Sequence, residues 1–414
     1  MNRSNAAWVA WFLAALYYFY QYLLRSAPAV MIPQLSEAFN LSATGVASLV
    51  AVFYYGYGPF SLVTGTAIDR LGAKRVMVIG VFMVATGAFL FSWGNLSLAI
   101  FGRLIQGVGG TASLVGAVYI ASNSFPASRA ATLIGATQMF GMAGGSAGQM
   151  LVGPAMAGGL PWNRFWTLAG AAGLLVATAL FFALPKQRVE SRGSDWIRDS
   201  VSAVAVIFKN PQSILCGLIS GLLFAPTTIF GMIWGVRFLQ EAHGFGYGDA
   251  VLRSSTLTLG WIIGCPLLGF LSDRLGRRKP VIAGGACVLA LCLAWILFGP
   301  VGVLPPYVLG LLAGIASGAA MIPYSVIKES NPSHLSGTAT GAINLMTFTI
   351  SGLLGPVFGW LMQTATAGNS TDLENYQMTF QPLLLGVALA VVLTFLLKET
   401  GRAVRTRVKV AATV

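Results

Sequence analysis

The chain has 414 residues, of which 56% are hydrophobic and 9% charged, and its formal net charge is +13. Soluble domains carry about 25% charged residues. This composition therefore excludes a large soluble protein and leaves lipid as the main solvent. The 50 glycines read as points of close helix packing, and the basic excess reads first as membrane topology, not as a nucleic-acid patch.

A spanning helix needs about 20 apolar residues. In chain order the sequence predicts helix 1 at 7–31, helix 2 at 43–67, helix 3 at 75–94, helix 4 at 97–121, helix 5 at 129–155 and helix 6 at 164–184. Helices 7 to 12 follow at 212–239, 250–271, 280–299, 303–327, 335–363 and 378–397. The first apolar run, from Trp8, is too long for a signal-peptide core, and no small-residue cleavage site follows it.

With the N-terminus in the cytoplasm, the inner side collects 20 of the 25 basic residues, while the outer loops hold Arg164 and little else. That bias places both termini inside and requires an even number of spans. The expected domains are a six-helix bundle at 1–185, a cytoplasmic linker at 186–211, a second bundle at 212–398 and a basic tail at 399–414. Within the linker, Trp196, Ile197, Val201, Val204 and Ile207 among charges fit an amphipathic helix on the membrane surface.

Little enzyme chemistry can be assembled. Cys216, Cys265, Cys287 and Cys292 lie in apolar runs without a CxxC pair, and read as packing residues. His243 and His334 adjoin loops and define no metal site. No nucleophile–base pair, metal or cofactor is expected.

Two segments repeat. Gly65-Thr66-Ala67-Ile68-Asp69-Arg70-Leu71-Gly72 and Gly269-Phe270-Leu271-Ser272-Asp273-Arg274-Leu275-Gly276 each follow the second helix of their half, 204 residues apart. Duplicated halves are a known transporter construction. The pair resembles the signature loop of the major facilitator superfamily. Arg103-Leu104-Ile105-Gln106-Gly107-Val108-Gly109-Gly110 is similar to that superfamily's helix-4 motif. Gly135, Gly144 and Gly148 partly match its helix-5 motif, with Gln149 where exporters have Pro. The resemblance implies an all-α membrane protein of twelve transmembrane helices in two pseudo-symmetric six-helix bundles. It also implies a monomer in a bacterial inner membrane. It assigns Gly65 and Gly269 to tight helix contact and counts Gly72 and Gly276 with them in the gating latch. Asp69 and Asp273 are then latches that meet a helix N-terminus and the following Arg70 and Arg274.

A narrower likeness is to bacterial nutrient-uptake members, including phagosomal-transporter-like and anion:cation-symporter-like proteins. It rests on Leu24-Arg25-Ser26-Ala27-Pro28, Ile233-Trp234-Gly235-Val236, Gly260-Trp261-Ile262-Ile263-Gly264 and Lys328-Glu329-Ser330-Asn331-Pro332. Arg237 departs from the apolar residue or Pro expected there.

The substrate residues are sought among charges that loop solvation does not explain, because an arginine at a helix centre costs about 2.5–3.5 kcal/mol. Arg25 and Arg103 are the cavity candidates; Arg237 and Arg253, near the outer ends of helices 7 and 8, are expected to snorkel. Tyr18, Tyr22 and Arg25 share one face of helix 1, and Tyr54 and Tyr57 one face of helix 2. Phenols beside a guanidinium make a cradle for a carboxylate; the alternative is an interfacial aromatic belt that also includes Tyr17 and Tyr20. Gln138, Trp234, Tyr324 and Asn344 are further mid-helix candidates for the same cavity. None of the 12 acids falls mid-membrane by these spans. The expectation is therefore a secondary transporter importing a small organic anion by alternating access, with or without a co-transported proton. Zwitterion uptake is the alternative, and drug efflux a weaker third.

Overall fold

The computed structural model describes residues 3–185, 196–300, 302–303, 307–366 and 372–401. The first part of the linker, at 186–195, and the basic tail from 402 lie outside these residues. Among the described residues the regular structure is helical throughout. Helices 1 to 4 run Arg3–Ser26, Ala43–Leu71, Ala73–Ser92 and Leu96–Asn123. Helix 5 is Ala130–Met150 continued by Val152–Ala157, and helix 6 is Trp162–Ala183. The linker helix occupies Trp196–Lys209. Helix 7 spans Pro211–Glu241 and contains a π-helical stretch, Pro226–Trp234. Helices 8 and 9 are Tyr247–Leu275 and Lys279–Phe298. Helix 10 runs Val308–Ser317, tightens to a 3-10 turn at Gly318–Met321 and resumes at Pro323–Glu329. Helices 11 and 12 are Ser336–Thr366 and Asp372–Leu396.

Nine of these are long and apolar enough to cross a membrane. The other three described helices, 2, 5 and 11, have the length but fall short in apolarity, helices 5 and 11 being rich in Gly, Ser and Thr.

Local chemistry sets the breaks. Ser42 caps helix 2 by accepting from the Gly45 N–H at 3.1 Å, and Asn95 caps helix 4 through the Leu98 N–H at 3.1 Å. Gly72 and Gly276 take φ values of 81° and 62° at the two repeat turns, where a side chain would be strained.

The chain packs as two compact units. The first comprises Met1–Pro126, Phe140–Lys209 and Asn331–Leu345; the second comprises Ala127–Met139, Asn210–Ser330 and Met346–Val414. Each unit thus takes the opening stretch of a helix whose remainder belongs to the other: helix 11 for the first, helix 5 for the second.

Within the first unit, helix 4 is the hub, and the three glycines of its motif face three neighbours. A Cβ on Gly107 would strike the Phe53 carbonyl of helix 2, and one on Gly109 the Gly80 carbonyl of helix 3. One on Gly110 would meet Gln21 of helix 1 at 3.0 Å. In the second unit, helices 8 and 10 close in the same manner, with Gly260 and Gly264 against the backbone at Leu311 and Ile315.

Candidate substrate site

In the first unit, helices 1, 2 and 4 converge on two arginines. The Arg25 guanidinium lies 4.7 Å from the ring centres of both Tyr22 and Tyr54, 5.8 Å from that of Tyr57 and 5.9 Å from that of Phe53. Its Nε donates to the Tyr54 hydroxyl at 3.0 Å. Cation–π contact of this kind contributes about 0.5–2 kcal/mol per ring, so the aromatic cage holds the cation without neutralising it. Arg25 is half-buried and Tyr54 is exposed, so the cage has an accessible side.

Arg103 has a different setting from the open wall expected of it. It is fully buried and donates to the Gln106 side-chain oxygen at 2.9 Å, the Val50 carbonyl at 3.2 Å and the Leu24 carbonyl at 3.4 Å. It therefore ties the backbones of helices 1 and 2 to helix 4, next to Arg25 itself. Phe53, which the sequence reading passed over, lies 5.2 Å from the Arg103 guanidinium and is stacked on Tyr57 at 5.5 Å. Its signal was the four-residue spacing to Tyr57, which places both rings on one face of helix 2.

The remaining tyrosines divide by role. Tyr18 packs edge-on against Tyr22 at 4.8 Å and holds that ring in the cage. Tyr17 and Tyr20 are buried and donate to the carbonyls of Gly109 (2.7 Å) and Ala169 (2.8 Å). They pin helix 1 to helices 4 and 6, so the interfacial belt does not describe them. Asn344, in the helix 11 segment of this unit, donates to the Ser61 hydroxyl at 2.8 Å, and Ser61 in turn donates to the Tyr57 carbonyl at 2.8 Å. The first unit thus unites Tyr18, Tyr22, Arg25, Tyr54, Tyr57, Arg103 and Asn344. Gln138, Trp234 and Tyr324 belong to the second unit, where Gln138 and Tyr324 are buried and Trp234 is half-buried against an aromatic cluster around Phe380.

The repeated loops are matched in detail. Asp69 accepts from the main-chain nitrogens of Gly337 and Thr338, at the start of helix 11, at 2.7 and 2.6 Å. Asp273 accepts from the nitrogen and the hydroxyl of Thr132, near the start of helix 5, both at 2.8 Å. Gly65 and Gly269 let the helix backbones touch, facing the carbonyls of Gly337 and Ala131. The arginine partners differ from expectation. Arg70 pairs with Asp199 of the linker helix at 2.7 Å. Arg274 is exposed, and Asp273 is instead paired by Arg278 at 2.6 Å. Arg278, one of the 20 basic residues that the topology puts on the inner side, is 2% exposed. It also pairs with Glu329 at 2.8 Å, and its main-chain nitrogen donates to Glu399 at 2.6 Å. Burial lowers its pKa, but the bonds and charges of Glu329 and Asp273 more than offset this and raise it overall.

The fold and these motifs meet in one comparison. Residues 14–356 match the model of the Major Facilitator Superfamily. The chain belongs to that superfamily. Among curated relatives, this transporter is 26% identical to the hexuronate transporter of Bacillus subtilis (83% of this chain, 86% of the relative). It is 25% identical to the cis,cis-muconate transport protein of Acinetobacter baylyi (82% and 85%). Among solved structures, it superposes on the Escherichia coli fucose:proton symporter FucP with a TM-score of 0.72 at 14% identity, covering 94% of this chain and 99% of that one. On the proton:xylose symporter XylE it reaches 0.77 at 15% identity, covering 96% and 97%. At that identity the structural likeness speaks for the fold alone.

Proposed function

We propose that this transporter imports a small organic anion, a carboxylate, which binds at Arg25. The observation that carries this is the Arg25 cage: a guanidinium ringed by Tyr22, Phe53, Tyr54 and Tyr57, with no acid on helix 1 and only Asp69, at the opposite end of helix 2 and engaged by Gly337 and Thr338, on the other. A bidentate carboxylate would use the planar fork, and the phenol groups beside it supply further donors. Arg103 backs the site by fixing the carbonyls on either side of it and by adding positive potential. The relatives named for hexuronate and cis,cis-muconate support an anionic cargo. Import by alternating access, cytoplasmic termini and proton coupling complete the reading; an anion that arrives with its proton makes an intramembrane acid dispensable.

Proteoliposomes containing the full chain test this. Labelled glucuronate, muconate, citrate and alanine are offered with and without an inward proton gradient. Accumulation of at least one acid, and not of alanine, is the expected result. Uptake of alanine alone, or gradient-driven extrusion of a cationic dye without any acid uptake, overturns it.

A further inference from the structure

The second unit holds a cavity that the Arg25 site does not use. It measures about 120 Å³, is open at one side, and lies where the end of helix 7, the beginnings of helices 8 and 10 and the end of helix 9 meet. Phe238, Phe245, Trp295 and Tyr307 give it aromatic walls, and Arg253 and His243 supply its ionisable groups. The hydroxyls present are already engaged: Ser254 donates to the Gly231 carbonyl at 2.9 Å and Thr256 to the Arg253 carbonyl at 2.6 Å.

Arg253 is the decisive residue. It does not reach outward as a snorkelling arginine would. Its guanidinium is stacked 4.2 Å from the Phe245 ring centre and 5.7 Å from that of Tyr307. Its Nε is buried with no hydrogen-bond partner. Asp249, one turn back on helix 8, is a ready i,i+4 partner, yet Arg253 forms no ion pair among the described residues. The sequence between Phe298 and Val308 contains no acid. Tyr307 stands at φ 77°, a conformation that a bulky side chain rarely adopts and that concentrates at functional sites. His243 packs edge-on to Phe238 at 4.8 Å, and burial lowers its pKa, so it is neutral at pH 7 and does not compete with Arg253 for an anion.

We propose that this cavity is a second ligand site, separate from Arg25, for a compact aromatic carboxylate whose ring enters the aromatic walls and whose carboxylate bonds Arg253. Size and charge select this class. A closed cavity of about 150 Å³ in another protein holds benzene; this one is somewhat smaller but open at one side, so a single ring can enter with its carboxylate at the mouth, and a larger polycycle is too big. A cation is repelled, and a neutral ring leaves the buried Nε unsatisfied. The anionic head of a lipid shares the charge but not the flat ring, and the experiment separates the two.

Purified full-length protein is photolabelled with 4-azidobenzoate and the adducts are mapped by mass spectrometry. Adducts are expected within 238–257 or 295–310. Benzoate should protect against them, while benzyl alcohol and short-chain phosphatidylglycerol should not. Arg253→Gln should weaken benzoate protection at least about tenfold, and Arg25→Ala should leave it unchanged. Mapping and protection on the parent chain need no variant, so a poorly folding Arg253→Gln leaves the test intact. Adducts confined to other segments, better protection by phosphatidylglycerol, or undiminished protection in a folded Arg253→Gln protein would overturn the proposal. Loss of labelling here in Arg25→Ala would assign the probe to the transport site and also overturn it. Failure of uptake through Arg25, by contrast, has no bearing on this labelling.

Discussion

The carboxylate of Asp69 is bonded by both the main-chain nitrogen and the hydroxyl of Thr338, at 2.6 and 2.7 Å. Asp273 treats Thr132 in the same way, so the internal duplication preserves a bond and not merely a motif. Negative charge at a helix N-terminus is also favoured by the helix dipole.

Asparagine at either position turns an amide donor toward donors. Each charge-assisted bond is worth about 1.5–3 kcal/mol, at least about tenfold in an equilibrium that it biases. Asp69→Asn and Asp273→Asn are therefore expected to cut transport by at least about tenfold while the folded yield stays within about twofold. Size-exclusion yield beside initial uptake rate checks this; parallel loss of both would assign the aspartates to folding alone.

Arg25 and Arg103 should separate by readout. Removing the cation that faces a bound carboxylate costs about 2–5 kcal/mol, so Arg25→Ala is expected to weaken substrate binding by at least about 30-fold, with a smaller loss of melting temperature than Arg103→Ala. Arg103→Ala strips donors from the Leu24 and Val50 carbonyls and should lower the melting temperature first. Arg103→Lys keeps the charge but loses the fork, and should fall between parent and alanine variant in both measurements.

Arg278 is a stability residue. Its removal leaves Asp273 and Glu329 facing each other without a cation, which in buried pairs costs about 3–5 kcal/mol. Arg278→Ala should show a markedly lower melting temperature than Arg277→Ala, whose side chain is 60% exposed. Equal melting temperatures would contradict the buried cluster.

Glycine offers a paired control. Gly107→Ala forces helices 2 and 4 apart at Phe53 and should destabilise the protein and disturb the cage that Phe53 helps to form. Gly284, on helix 9, has nothing within 4 Å of its would-be Cβ, so Gly284→Ala should be neutral or gain up to about 1 kcal/mol from helix propensity. Thermal melts of the two variants decide it.

Much of this was legible in the residues. Apolar length located the helices, the 204-residue repeat located the latches, and face-sharing of Tyr18, Tyr22 and Arg25 located the cage. What stayed hidden depended on who meets whom across the chain. Arg278 looks like a loop charge because Glu329 and Glu399 are 51 and 121 residues away. Arg103 looks like a cavity residue because its partners are main-chain carbonyls, which no side-chain pattern reveals. Arg253 looks like a snorkelling arginine because Phe245 and Tyr307 approach it only through the fold.

The central claim is that a carboxylate is held by Arg25. The direct measurement is the affinity difference between an acid and its neutral counterpart, glucuronate against glucose and muconate against its diamide, in the parent and in Arg25→Ala. The account predicts that the parent prefers at least one acid by at least about 30-fold and that Arg25→Ala abolishes that preference. An undiminished preference in Arg25→Ala, or a parent that binds acid and neutral partner equally in every pair, would contradict it.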